Sequence, residues 1–420
     1  MYLTNILAFL TGQSYICEIH FLIQVFMKNL HYFAAAVLAA SLLVACQSPL
    51  KEGEGVITVP VRTQLAQQDV IPVSDDVEKI EYIPLETGDS CLVSNILSMQ
   101  VSRDYLFIYN GKTNQILQFD RAGKFVRTIG RTGNGPGEYT LVSDLAIDEA
   151  NQQLYIFCYG EAPRVYGFDG QYLLSDTTLQ GSTSAVLLDE QHIAMKGLRM
   201  YPNAWLAALK EKGGKITEQV DPYEASLPED VSYMENPMLV PAGKSALAFA
   251  TCNDTVFRLS PEGIEPAYCL ARQNRTAFYT DVADIRQRKN NPIQDTDLDL
   301  YDFFETPRYL YLRITQAGEI YIQRYSKADG TCLSCRVPEA YLSCSRSIPG
   351  NNAIGLTNDV DQGVPFWPEF AVNGRTCAQV VTYDLISGLQ EEGYLKDMPD
   401  GLKALGADDN PLIIIYTYKQ

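Results

Sequence analysis

Phe125–Ser175 reads FVRTIGRTGNGPGEYTLVSDLAIDEANQQLYIFCYGEAPRVYGFDGQYLLS, a glycine-rich loop followed by short apolar runs that turns separate. The run Leu106-Phe-Ile-Tyr109 returns as Leu154-Tyr-Ile-Phe157, 48 residues on. Phe107–Gly123 (FIYNGKTNQILQFDRAG) matches Leu247–Gly263 (LAFATCNDTVFRLSPEG) without a gap, 140 residues on. Few residues are identical, but apolar and turn positions coincide, and the second spacing is close to three times the first. Units of roughly 40–50 residues holding several strands each are blades of a β-propeller.

Working outward, a first blade runs from Ile96 to Ile129, with turns at Asn110-Gly111 and Ala122-Gly123. A second covers Leu141–Thr177, a third Ser184–Val220 and a fourth Met238–Leu270. Ala204–Lys210 (AWLAALK) has helix-forming residues, but the repeat requires a strand there, before the Gly213-Gly214 turn. Thr280–Asp299 is polar and reads as a partly helical insertion. Tyr309–Ile314 and Glu319–Tyr325 carry a fifth blade to about Cys344, and a sixth starts near Ser347 and includes Phe366-Trp367-Pro368. Tyr383–Lys396 and Gly401–Leu405 look helical. Val56–Arg62 and Glu78–Leu85 alternate like strands, with Pro60 suited to an edge or strand end. Leu412–Tyr418 (LIIIYTY) is a strongly β-prone terminal strand. The expectation is an all-β, six-bladed propeller over residues 56–420, in which strands from both chain ends share one blade. Seven blades would require the insertion to be a degenerate blade.

Met27–Cys46 (MKNLHYFAAAVLAASLLVAC) has a basic start at Lys28, an apolar core and small residues before a cysteine, the layout of a secretory signal peptide. Its apolar run is shorter than the ~20 residues that span a bilayer. Leu43-Val44-Ala45-Cys46 resembles the lipobox of bacterial lipoproteins. That resemblance implies cleavage before Cys46, acylation of Cys46, and an outer-membrane anchor facing the periplasm or the cell surface. An ordinary signal peptide or a short membrane anchor is the alternative. Met1–Phe26 has no Lys or Arg and reads as an upstream start chosen too early, with a second membrane segment as the other option. Gln47–Gly55 is a polar tether.

The leader contributes one Lys and one Glu, so the net charge of −18 belongs to the part from Cys46 onward. So acidic a chain lacks the basic footprint of nucleic-acid binding and of adhesion to anionic lipid. Any membrane link is therefore expected through the lipid alone. Eight cysteines follow Cys46. Cys158 and Cys252 sit in apolar strands, where cysteine packs as a small hydrophobe. Cys332, Cys335 and Cys344 form the dense cluster; free thiols lead there, followed by one disulfide, with metal last for want of a nearby histidine.

Gly130-Arg-Thr-Gly133-Asn-Gly135-Pro-Gly137-Glu-Tyr139, with Leu145-Ala-Ile-Asp148 and Leu154-Tyr-Ile-Phe157, resembles the NHL repeat. Taken whole, the chain resembles the six-bladed β-propeller lipoproteins of Gram-negative anaerobes. The motifs are the lipobox, Ile80-Glu-Tyr-Ile-Pro-Leu-Glu-Thr87, Asn253-Asp-Thr-Val-Phe-Arg258, Phe366-Trp367-Pro368 and Asp409-Asn-Pro-Leu-Ile-Ile-Ile-Tyr416. The resemblance implies a glycine-rich turn feeding the innermost strand of a blade, and a role in capturing glycans or peptides at the cell envelope. On the residues alone, the segment lacks the Gly-Lys-Ser/Thr ending of a phosphate loop. Gly133 and Gly135 are expected to supply positive φ, with Arg131, Glu138 and Asp144 near the channel mouth.

Histidine is the decisive absence. After the leader only His192 remains, too few for the histidine-held zinc of NHL-type lyases, and no Gly-x-Ser-x-Gly accompanies it. With 50 Asp and Glu after the leader, no catalytic carboxylate pair stands out. No catalytic, metal or ligand-binding residue is therefore singled out, and Cys46 is the one site residue named, as lipid anchor. The favoured function is a non-catalytic envelope lipoprotein that binds a ligand or protein partner without a cofactor, as a monomer or as a subunit of an envelope complex. The alternative is a hydrolase or lyase in the propeller channel that uses Ca²⁺.

Overall fold

A strand buried on both faces needs an apolar residue at nearly every position, and Leu106–Tyr109 and Leu154–Phe157 supply it. The computed structural model describes residues 55–61, 69–197, 205–220, 237–250, 254–271, 298–316, 319–338, 341 and 354–420. The leader, Cys46, Cys252, Cys344 and most of the expected insertion lie outside these residues.

Strands β1 (Ile57–Pro60) and β2 (Val77–Pro84) precede the first blade. Blade one is β3 (Ile96–Val101), β4 (Tyr105–Asn110), β5 (Gln115–Asp120) and β6 (Phe125–Ile129). Blade two is β7 (Val142–Asp148), β8 (Gln153–Cys158), β9 (Arg164–Gly167) and β10 (Tyr172–Ser175). Blade three is β11 (Ser182–Leu187), β12 (His192–Gly197), β13 (Ala207–Glu211) and β14 (Ile216–Val220), so AWLAALK does deliver a strand. Blade four is β15 (Met238–Ala242), β16 (Ser245–Phe249), β17 (Thr255–Ser260) and β18 (Gly263–Ala271). Blade five is β19 (Leu298–Glu305), β20 (Tyr309–Gln316), β21 (Glu319–Ser326) and β22 (Cys332–Arg336). Blade six takes β23 (Phe370–Asn373), β24 (Thr376–Val381) and β25 (Leu412–Tyr418), with helices α1 (Tyr383–Glu391) and α2 (Asp400–Lys403) between the last two strands.

Each blade is an antiparallel meander, and among the described residues six such sheets form the ring of a six-bladed β-propeller. Blade six has the order β2-β25-β24-β23, so its outermost strand comes from the N-terminal end of the ring. β2 pairs antiparallel with β25 from Val77↔Tyr418 to Pro84↔Leu412. β1 adds a fifth strand, parallel to β18, on blade four.

Six apolar clusters fill the gaps between neighbouring blades, and the two-residue period of each strand feeds two of them. Leu106 and Ile108 of β4 face blade six, whereas Phe107 and Tyr109 face blade two. Leu154 and Ile156 of β8 join the blade one side, and Tyr155 and Phe157 the blade three side. In β25, Ile413 and Ile415 pack against blade one, while Leu412, Ile414 and Tyr416 pack towards blade five. α1 starts at Thr382, whose hydroxyl accepts the Leu385 N–H at 3.3 Å, and buries Leu385, Ile386 and Leu389 in that last cluster. Gly393, at φ +77°, stops it short of the expected Lys396.

Two expectations need correction. Blade five begins before Tyr309, because Leu298–Glu305 (LDLYDFFE) is its innermost strand; its first two residues overlap the expected insertion, which ended at Asp299, and no strand was expected from Leu300 to Glu305. The strands of blade six begin at Phe370, after Phe366-Trp367-Pro368 rather than before it, and Leu356 bridges Phe366 ahead of them.

Because β25 closes the ring, truncating its core should be felt globally. Ile414, fully buried and paired with Tyr82 on one side and Gln379 on the other, should cost about 2–5 kcal/mol as Ile414→Ala, read by urea unfolding.

Candidate functional site

The glycine-rich segment joins β6, the outer strand of blade one, to β7, the inner strand of blade two. Positive φ falls on Gly130 and Gly137 rather than on Gly133 and Gly135. Those two glycines instead make room for a side chain: a Cβ on Gly133 would lie 2.0 Å from Glu138 Oε2. Glu138 folds back to accept the Gly135 N–H at 2.8 Å and the Arg131 Nε–H at 2.6 Å. These bonds hold its carboxyl below the usual range. The Tyr139 hydroxyl accepts the Ile116 N–H at 3.2 Å and donates to the Ile129 carbonyl at 3.1 Å. Arg131 and Glu138 thus serve the turn, and of the three residues expected near the channel only Asp144 reaches it.

Inner strands β3, β7, β11, β15, β19 and β23 surround a cavity of about 230 Å³. Its polar lining is acidic: Asp144 from β7, Asp302 and Glu305 from β19, and Glu369 just before β23, beside Gln100, Ser184 and Asn373. No Lys or Arg lines it among the described residues.

Each acid has its own surroundings. Asp144 Oδ1 accepts the Ser98 hydroxyl at 2.6 Å and the Leu145 N–H at 2.8 Å, while Gln100 donates to the Leu145 carbonyl at 2.7 Å, tying blade one to blade two. Lys196 lies near Asp144; burial lowers its pKa and Asp144 opposes the shift. Glu305 receives Arg258 at 2.8 Å and Lys327 at 3.4 Å, and Tyr268 donates to it. Burial works to raise its carboxyl, but these partners outweigh burial and hold it low. Asp302 accepts Trp367 Nε1–H at 3.0 Å and lies 3.3 Å from Arg313, whose guanidinium stacks 4.7 Å over the indole. Burial nonetheless leaves Asp302 above the usual range.

Glu369 is the exception. Its Oε1 is shut off from water and has no hydrogen-bond partner among the described residues. Burial pushes its carboxyl from the usual 4.5 up to about 8, with the charge of Asp302 adding to the rise, against the Val380 N–H and Arg313. A carboxyl in such surroundings keeps its proton at neutral pH.

Sequence reading missed Asp302 and Glu369, because the fold alone selects them from the many acids. The available signal was Glu369 directly behind Phe366-Trp367-Pro368, an acid abutting a fully apolar run.

The remaining sequence candidates are structural. His192 Nδ1 lies 3.0 Å from both carboxylate oxygens of Asp189, which also accepts the Gln191 and His192 N–H groups. Cys332 and Cys335 lie three apart on β22, so they face opposite sides; Cys332 packs towards blade four and Cys335 towards blade six, and neither forms a disulfide among the described residues. Burial raises the Cys335 thiol to about 12, which leaves it unreactive. Among the described residues, no three His, Cys, Asp or Glu are grouped as a metal would need, and no helix is long and apolar enough to cross a membrane.

Residues 56–417 match the family described as "Domain of unknown function (DUF4934)". The chain belongs to that family. The DUF4934 ring also resembles a crystal structure of a protein from Bacteroides fragilis NCTC 9343 assigned as exported, at TM-score 0.63 and 17% identity. The alignment covers 87% of this chain and 100% of that one. A member of the DUF4221 family from Bacteroides vulgatus ATCC 8482 aligns at TM-score 0.46 and 9% identity, over 82% and 97% of the two chains. No curated protein matches the DUF4934 chain significantly.

The Glu369 environment has a measurable consequence. Folding favours its protonated form, so its contribution to stability is fully present below pH 4.5 and is lost as pH rises towards 8. Glu369→Gln, always neutral, should match the parent at pH 4.5 and exceed it at pH 9 by on the order of a few kcal/mol in urea unfolding.

Proposed function

We propose that this chain is an exported propeller, held at the outer membrane through acylated Cys46, that binds a ligand or protein partner as an accessory to glycan or peptide capture. The observation that carries the reading is the cavity on the propeller axis, walled by all six inner strands and lined in part by a carboxyl without a full set of partners. Propeller pockets of this kind gather side chains from strands far apart in sequence, as small-ligand sites do. The leader and the lipobox-like Leu43–Cys46 support export and anchoring, in keeping with the likeness to a Bacteroides protein assigned as exported. The glycine-rich connection into β7 supports describing the blades as NHL-like. Ligand binding without catalysis is favoured because Asp189 holds His192 and the sequence has no Gly-x-Ser-x-Gly motif to go with it.

A second reading is a hydrolase or lyase centred on the cavity and assisted by Ca²⁺. The observation in its favour is that two carboxyls held above their usual range by burial, Asp302 and Glu369, share the wall.

Two experiments test the proposal. Cys46→Ala should move the protein from the membrane to the soluble fraction on extraction; retention would remove the lipid anchor from the account. Ala371→Trp fills the cavity from β23 and should abolish recovery of the partner or glycan that the parent chain captures from its own envelope. Unchanged capture would place binding elsewhere, and turnover of envelope glycans that Glu369→Gln and Asp302→Asn both eliminate would favour the hydrolase.

A further inference from the structure

The four acids of the cavity wall are unequal in what they lack. Glu305 has Arg258, Lys327 and Tyr268; Asp302 has Arg313 and Trp367; Asp144 has Ser98 and the Leu145 N–H, with Lys196 nearby. Glu369 has an unpartnered Oε1 sealed from solvent, and no cationic side chain among the described residues lines the cavity beside it. Burying an unpaired carboxylate is costly, so in the empty protein a proton takes the place of a partner. An anionic ligand would meet four acids. A divalent cation would want several carboxylates at once, and the described ones are not grouped in threes. The rest of the wall mixes neutral polar groups, Gln100, Ser184 and Asn373, with an apolar share from Leu239, Val240 and Phe370 along which an alkyl chain can lie.

We infer that the cavity receives an aliphatic ammonium group carried on an apolar chain, such as a lysine side chain of a peptide, and that seating it releases the Glu369 proton. The inference rests on the cavity being the ligand site and names the chemistry of that ligand. The step balances as a neutral Glu369 carboxyl plus an ammonium ion giving a carboxylate–ammonium pair and one proton in solvent. Around Glu369, Asp302 comes from β19, Arg313 from β20 and Tyr416 from β25, with Asp144 and Glu305 on the same cavity wall. Asp302 favours the incoming cation, and Arg313 remains held to Asp302 and to the Ile354 carbonyl.

Calorimetric titration of the full chain with Nα-acetyl-lysine methylamide, against its neutral isostere Nα-acetyl-norleucine methylamide, tests this. The lysine compound should bind saturably and the norleucine compound should not. Affinity should rise by about tenfold per pH unit below pH 8 and level off above it. Well below pH 8, buffers of different ionisation enthalpy should report one proton released per ligand bound. Glu369→Gln, checked for an intact thermal transition, should weaken binding and flatten its pH dependence. Equal binding of the norleucine compound, or lysine binding with no proton release, would overturn the inference, as would displacement of the lysine compound by stoichiometric Ca²⁺. If the lysine compound fails while Ala371→Trp still abolishes envelope capture, the ammonium inference falls and the ligand site stands. If Ala371→Trp changes neither, both fall.

Discussion

The pairing of β2 with β25 is the constraint on which the rest of the structure depends. A row of four-stranded sheets leaves one face uncovered at each end, and only closure removes both. Here the closing contact is a hydrogen-bonded seam: eight residues from the start of the ring lie along seven from its end, β25 being apolar on both faces while β2 adds Val77 to one neighbouring core and Ile83 to the other. The N-terminal approach is keyed in place as well. Asp76 accepts the Lys419 N–H through its carbonyl at 2.7 Å, and the Tyr311 hydroxyl donates to its buried carboxylate at 3.1 Å. Arg324 reaches Asp75 at 2.8 Å and the Pro72 carbonyl at 2.9 Å. Closure, then, is an apolar seam with a polar latch.

The axis follows from closure. Six inner strands brought to a common centre cannot all present apolar residues to it without collapsing the cavity, and in this chain several present acids instead. Three of those acids also tie the ring together or sit in compensated pairs: Asp144 spans blades one and two, Glu305 joins blade five to Arg258 of blade four, and Asp302 connects blade five with Trp367 ahead of blade six. Glu369 has no such duty visible in its contacts. A buried group that costs stability and contributes no link is the kind of feature binding sites retain.

How far the sequence could be read depended on what each segment had to satisfy. Blade one was legible from Ile96 to Ile129 because its apolar alternation and glycine turns are set by local rules. AWLAALK was legible only through the repeat, since local propensity points to helix and burial on both faces overrides it. LDLYDFFE was missed for the opposite reason: Asp302 and Glu305 interrupt the apolar run that marks a buried strand, and their partners Trp367 and Arg258 lie far away in sequence. The glycine segment was recognised as a turn, but which glycines need positive φ depended on where Glu138 folds, a tertiary fact. Asp302 and Glu369 are 67 residues apart in sequence, and nothing local brings them to one wall.

The central claim is that Glu369 stands neutral at the axis of a closed ring until a cation meets it. Carbon-13 NMR titration of the glutamate side-chain carboxyls, with Glu369→Gln identifying the resonance, addresses that claim directly. The account predicts one glutamate titrating near pH 8 in the unliganded protein. A Glu369 carboxyl that titrates with the surface glutamates, near 4.5, would contradict it.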